Sequence, residues 1–478
     1  MRILLIALLA VAALPAAADA ATLSRTGGTL RYKAAKGERI SVQLTESSAG
    51  VFLARSAKNV RQRLVPGAGC RRGGAREVRC AGHGVTRVEI SLKRARTSTF
   101  RLEDVHVDVA AVGSPGANTM IFTRTPDFTY DGGPKKDDVV VRDSPGGHST
   151  IRLGAGADFF DGQPSAFGAP DSTATFTVHG GRGRDSLMGG PAADFLDGGT
   201  GNDTLDGVGG ADTLTGGPGT DTVGFTSFSL IPNHDDGPIS VTLDGQRNDG
   251  TAGQNALVGS DVENAAIGFT TQPGSNDVLV GNGGPNVLIG PGTVRGLGGN
   301  DILVTNNYYP DNHTTLDGGD GDDRIDALAR NDGSGSPAST PASVVCGAGS
   351  DVVFTDTAVP ADCERANVGM HVRGARSIGR KGVVRARIGC NDPHGCVLAR
   401  LTLKLHGHQA GVRTARIKIP FGASRIASAQ LEPRVWRRHR HDRSLRVEIT
   451  PFPQPTAIPS PAVSTGSYPR ALTLRIIH

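Results

Sequence analysis

From Gly180 to Gly224 the chain repeats a nine-residue unit five times in succession: GGRGRDSLM, GGPAADFLD, GGTGNDTLD, GVGGADTLT and GGPGTDTVG. So strict a period argues against plain disorder and fits repeated glycine-rich turns. Each unit reads as six turn residues followed by a three-residue strand. Strand side chains alternate faces, so only the middle residue of the three points inward. That residue is Leu187, Leu196, Leu205, Leu214 or Val223. The aspartate two positions earlier shares its face at the rim of the turn: Asp185, Asp194, Asp203, Asp212 or Asp221. Aromatic residues make up 4% of the chain and glycine 67 of its 478 residues, too little bulk for one large globular core.

Two turns and two strands close one coil of 18 residues, which stacks Asp185, Asp203 and Asp221 along one edge and Asp194 and Asp212 along the other. Neighbouring strands lie about 4.8 Å apart. Two carboxylates at that spacing repel by roughly 3.5 kcal/mol at an effective dielectric near 20. One buried leucine per unit contributes about 2–3 kcal/mol, less than the entropy lost in ordering nine residues. A further stabilising term is required, and a hard divalent cation supplies it. Calcium takes six to eight oxygens from carboxylates and backbone carbonyls, which glycine turns expose at little steric cost; magnesium demands a tighter octahedron.

The pattern GGxGxDxUx resembles the hemolysin-type (RTX) calcium-binding repeat, over about half of the chain. The resemblance implies a parallel β-roll with calcium between the turns of adjacent coils. Carried onto this chain, Asp185 and Asp203 would share one ion, Asp194 and Asp212 another, and Asp203 and Asp221 a third. Degenerate units at 153–161, 272–280, 296–304, 318–326 and 346–354 add Asp158, Asp277, Asp301, Asp323 and Asp351 as candidate ligands; Asn286 replaces the aspartate of its unit. Asp158 would open the array, and Asp277, Asp301, Asp323 and Asp351 would form a second, weaker block. The stretch from Gly259 to Gly290 is similar to the linkers that join repeat blocks in this family. The segment VVCGAGSDVVFTDTAVPADCER resembles the end of an array, where a disulfide closes the last coil.

Alternating apolar and polar runs flank the repeats, so the fold expected is all-β. Residues 21–115 read as a small N-terminal β domain, 116–365 as the roll, and 366–478 as a β-sandwich-like domain. Charge divides with them. Residues 127–365 carry 34 acidic and 11 basic side chains, whereas 21–126 carry 7 and 19, and 366–478 carry 4 and 20. Residues 1–20 have the charged start, apolar run and A-x-A end of a Sec-type signal peptide, which implies export. Toxins and proteases of the resembling family leave by a one-step exporter that reads a C-terminal signal; this chain carries an N-terminal leader instead. No other segment approaches a membrane span. Six cysteines suit an oxidising compartment. They allow fifteen pairings, and the sequence does not choose among them. The simplest arrangement is local: Cys70–Cys80, Cys346–Cys363 and Cys390–Cys396.

Catalytic signatures are missing: there is no HExxH, GxSxG or GxxxxGK[ST], and no EF-hand spacing. His406 with His408, and His439 with His441, read as exposed histidines rather than ligand pairs. The pairs Asp137–Asp138 and Asp235–Asp236 read as solvated turn residues or extra ion ligands. WRRHRHDR (436–443) has one aromatic, and export removes most nucleic acid from reach, so no nucleic-acid partner is expected. The expectation is an exported, non-enzymatic calcium-binding repeat protein. The alternatives are an adhesin whose basic ends grip anionic polysaccharide or another cell-surface polymer, and a calcium-dependent polysaccharide-modifying enzyme.

Overall fold

The computed structural model describes residues 20–58, 63–164, 173–225, 237–268, 276–305, 314–327, 343–354, 362–363, 365–366, 370–378, 383–390, 396–405, 408–419, 424–439, 444–453 and 470–476. Beyond residue 354 mostly backbone is described. The leader-like residues 1–19, Asp235–Asp236 and the segment 331–342 lie outside the described residues, as do the side chains of the four histidines named above. The chain divides into two units, residues 1–282 and 283–478. Among the described residues no helix is long and apolar enough to cross a membrane.

The first unit is built from two facing sheets in which successive coils add parallel strands. One sheet runs from Thr29–Lys33 through Arg87–Ser91, Asp108–Val112, Phe128–Gly133, His148–Gly156, Thr175–Gly183, Phe195–Thr200 and Thr213–Thr215 to Leu257–Val258. The other runs from Arg39–Glu46 through Thr97–Glu103, Asn118–Thr123, Asp137–Arg142, Phe159–Asp161, Ser186–Met188, Thr204–Asp206 and Thr222–Phe225 to Asn264–Ile267. Antiparallel strands cover the start of both. Ala21–Thr26 pairs with Thr29–Lys33, while Val51–Ser56, Glu77–Ala81 and Cys70–Gly74 follow one another out from Arg39–Glu46. Such a cap hides the open edges that a solenoid would otherwise present.

The domain boundary expected at residue 115 carries no break in this ladder. Asn118–Thr123 pairs in register with Thr97–Glu103 before it and with Asp137–Arg142 after it. Glycine–aspartate turns do not hold these early coils together, apart from GGPKKD at 132–137. They are held by bulk instead. Phe100, Met120, Val139, Phe160, Leu187, Leu205, Val223 and Ala265 occupy one inward register column, and all are buried. Across the sheets Tyr32 meets Phe100 edge-on at 4.9 Å, Phe122 stacks on Phe128 at 3.7 Å, and Phe160 meets Phe176 at 5.2 Å. The core thins toward the perfect repeats, where each strand contributes one inward residue, as the period implies. Leu196 and Leu214 stack on the facing sheet in line with Val178 and Val258.

The second unit contains a shorter parallel stack. Val287–Gly290, Ile302–Thr305, Arg324–Asp326, Val352–Phe354 and Arg365–Ala366 form one face. Thr293–Arg295, Thr315–Asp320 and Ser343–Ala348 form the other. Leu288, Leu303, Ile325 and Val353 line its core. The remainder is one seven-stranded, largely antiparallel sheet. A short helix, Pro433–His439, interrupts it and carries the start of the Arg-rich segment. Disulfides Cys70–Cys80 and Cys346–Cys363 are formed as the local pairing expects. The first ties the exposed cap hairpin and the second ends the second stack, where the Asp362 carboxylate accepts the Cys346 N–H at 2.8 Å.

Candidate metal centre

Along one edge of the first unit the aspartates form a hydrogen-bonded column. The backbone N–H of Asp158 donates to Asp185 Oδ1 at 2.8 Å, that of Asp185 to Asp203 Oδ1 at 2.7 Å, and that of Asp203 to Asp221 Oδ1 at 2.7 Å. These four side chains are 2%, 1%, 1% and 0% exposed. In each, Oδ2 is buried with no hydrogen-bond partner. An ionised oxygen in that condition costs several kcal/mol, and a row of them marks a place for cations.

Glycine shapes the rest of the cradle. A Cβ added at Gly198 would lie 2.6 Å from Asp203 Oδ2 and 2.8 Å from the Gly216 carbonyl oxygen. A Cβ at Gly183, Gly201 or Gly219 would overlap the carbonyl oxygen of Gly156, Gly183 or Gly201 in the preceding coil. Gly183 and Gly201 also hold φ of 143° and 142°, outside the range of ordinary L residues. The turns therefore set backbone carbonyls beside unpartnered carboxylate oxygens, the hard oxygen donors that calcium takes. No three His, Cys, Asp or Glu side chains converge among the described residues, so carbonyls must supply most of the ligands.

Burial shifts these acids. It raises Asp185 to about 7 and Asp158 and Asp221 to about 6, in each case against the hydrogen bond donated to the carboxylate by the preceding coil and with neighbouring carboxylates adding to the rise. Asp203 is also raised, mainly by burial. Burial thus works against the charged carboxylates, and a cation beside them would relieve that penalty.

Two further residues bound the column, Asp137 of the acidic pair noted in the sequence and Glu263. At its start Asp137 is fully buried rather than solvated. Its Oδ1 accepts from Asn118 N–H and Nδ2, and its Oδ2 from Gly133 N–H at 2.7 Å and Tyr130 OH at 3.2 Å. At its end Glu263 Oε2 accepts the Asp221 N–H at 2.7 Å. Asp137 holds the sixth position of a further unit, GGPKKDDVV (132–140), whereas Glu263 lies outside the nonapeptide units, 42 residues beyond Asp221.

The other candidate residues fall elsewhere. Asp194 and Asp212 stack on the opposite edge, where the Asp194 N–H donates to Asp212 Oδ1 at 2.8 Å. Burial raises Asp194 to about 7, and burial with the neighbouring Asp194 charge raises Asp212 to about 9. Asp277 belongs to the first unit, and its Oδ1 accepts the Ile239 N–H at 2.8 Å. In the second unit Asn286, Asp301, Asp323 and Asp351 repeat the column, each N–H donating to the next Oδ1 at 2.8, 2.8 and 2.9 Å. Asp301 and Asp323 again leave Oδ2 buried without a hydrogen-bond partner. Burial raises them to about 7 and about 6.

The RTX calcium-binding nonapeptide repeat family matches the chain in four copies, at residues 177–205, 188–223, 274–290 and 315–332. No curated protein matches it. The matched segments hold Asp185, Asp203, Asp221 and Asp323, whose Oδ2 atoms are buried without a hydrogen-bond partner, and also Asp194, whose oxygens are not; Asp158 and Asp301 lie outside them. The chain thus carries hemolysin-type repeats, RTX calcium-binding nonapeptides wound into parallel β coils.

Proposed function

We propose that this is an exported, non-enzymatic protein whose repeats fold on binding Ca2+ and serve a structural or interaction role outside the cell. Asp158, Asp185, Asp203 and Asp221 would hold ions in the first unit, and Asp301, Asp323 and Asp351 in the second. One observation carries this: the row of buried carboxylate oxygens without donors at Asp158, Asp185, Asp203, Asp221, Asp301 and Asp323, with glycine carbonyls beside those of Asp185, Asp203 and Asp301. Calcium neutralises the repulsion within each column and so links ion binding to folding. Export rests on the leader-like first 20 residues and on the habit of this repeat family.

Calcium titration of residues 21–478, followed by far-UV circular dichroism with magnesium as control, tests the reading. A cooperative gain of β signal at about 0.1–1 mM calcium is expected. A spectrum unchanged between chelator and calcium would sink it.

Attachment to anionic polysaccharide is favoured by a separate observation. The strand Cys70–Gly74 presents Arg71 and Arg72 exposed on the disulfide-tied cap hairpin. Alginate binding that survives about 0.15 M salt would support this reading, and total loss there would leave only unspecific charge attraction.

A further inference from the structure

The five consecutive units are not equivalent, and the difference follows the two edges of the roll. On the edge of Asp185, Asp203 and Asp221 the turns read GGRGRD, GGTGND and GGPGTD. There the second-position N–H of Gly199 donates to the Gly216 carbonyl in the next coil at 3.1 Å. The carboxylate of its own turn keeps Oδ2 open. On the other edge the turns read GGPAAD and GVGGAD. The second-position N–H of Gly190 turns back to Asp194 Oδ2 at 2.7 Å, while Asp194 Oδ1 accepts the Phe176 N–H at 2.7 Å. Both oxygens of Asp194 are thus taken by backbone donors. In the next turn Val208 replaces the second glycine at φ 74°, and its N–H donates to Asp206 Oδ1 at 2.9 Å.

A donor N–H places its positive end where a cation would sit. It satisfies the carboxylate and repels an ion from the same oxygen. Asp137 shows the same solution, with Gly133 and Tyr130 on its Oδ2. We propose that in the first unit calcium is held along a single edge, by Asp158, Asp185, Asp203 and Asp221. The opposite edge closes at Asp194 on the protein's own N–H groups and takes no ion there. The ion shared by Asp194 and Asp212, which five equivalent repeats would imply, is replaced by hydrogen bonds. The column itself starts after Asp137 for the same reason. Calcium then stiffens one edge of the roll, while the other closes on backbone donors in its place.

This rests on the calcium reading above, and the test separates the two. Equilibrium dialysis with radioactive calcium counts the ions bound by the full chain, by Asp203→Ala and by Asp194→Ala, with circular dichroism in saturating calcium as the folding control. A wild-type chain that binds no calcium defeats the calcium reading itself. If wild type binds, Asp203→Ala is expected to lose at least one ion and Asp194→Ala none. A loss in Asp194→Ala equal to that in Asp203→Ala overturns the single-edge assignment. Should Asp194→Ala fail to fold, anomalous difference density from wild-type crystals grown in calcium decides. Peaks confined to the Asp185–Asp203–Asp221 edge support the assignment, and a peak in coordination distance of Asp194 Oδ2 overturns it.

Discussion

The backbone N–H of Asp185 donates to Oδ1 of Asp203, one full coil further along the chain, at 2.7 Å. Each aspartate of the column is therefore shared. One oxygen fixes the preceding coil, and the other is left for an ion. Asp203 serves coils on both sides, because its own N–H donates to Asp221. Asp203→Asn is expected to raise the calcium midpoint of folding by at least about tenfold, the shift that ~1.4 kcal/mol produces. The same change at Asp158, at the end of the row, should shift it less. Calcium titrations followed by circular dichroism rank the two, and equal shifts would contradict a shared ladder.

Acidity should act on the calcium-free roll opposite to its usual effect. Burial raises Asp185 and Asp301 to about 7 and Asp158, Asp221 and Asp323 to about 6, above the ordinary carboxylate value near 4. The folded form binds these protons more tightly than the unfolded chain, so stability falls as pH rises from about 4 through 7. In chelator the thermal midpoint should climb between pH 8 and pH 5. With saturating calcium the trend should reverse, since protons then compete with the ion. Parallel melts across that range check both signs.

Glycine at the fourth turn position is required by contact as well as by conformation. Gly201→Ala would drive a methyl into the Gly183 carbonyl at φ 142°. Gly37 has φ 70° and open space around it, so Gly37→Ala carries the conformational cost alone. That cost is about 1 kcal/mol, and Gly201→Ala should exceed it clearly in calcium-saturated melts. Equal losses would show that the coils do not approach as closely as described.

Chelator should leave part of the molecule folded. The coils from Thr29 to Arg142 are filled by Tyr32, Phe100, Phe122, Phe128 and Tyr130, and their carboxylate Asp137 is satisfied by protein donors. Hydrogen exchange in chelator should protect these coils and expose 180–225. Phe122→Ala should lower the chelator-resistant transition by about 3–5 kcal/mol, and Leu205→Ala the calcium-dependent one by about 2–5 kcal/mol. Uniform exchange along the whole first unit would refute the division.

The nine-residue period determined a great deal. It gave the parallel coil of 18 residues, the inward column of Leu187, Leu205 and Val223, and the stacking of Asp185, Asp203 and Asp221, because side-chain alternation and turn length leave one arrangement. Glycine content and carboxylate repulsion pointed to a hard cation. Tertiary structure alone decided where the coils begin, since the early ones repeat by packed aromatic bulk, and no nonapeptide motif places Phe100 and Met120 in one column with Val139 of the unit GGPKKDDVV. It also decided which carboxylates stay open. Asp194 and Asp203 hold the same position in their units, and the difference between them is where one backbone N–H points. Gly190 donates to Asp194, whereas Gly199 donates across to Gly216. Hydrogen-bond direction depends on the turn and on the coil stacked against it, and neither is written in the residue that carries the charge.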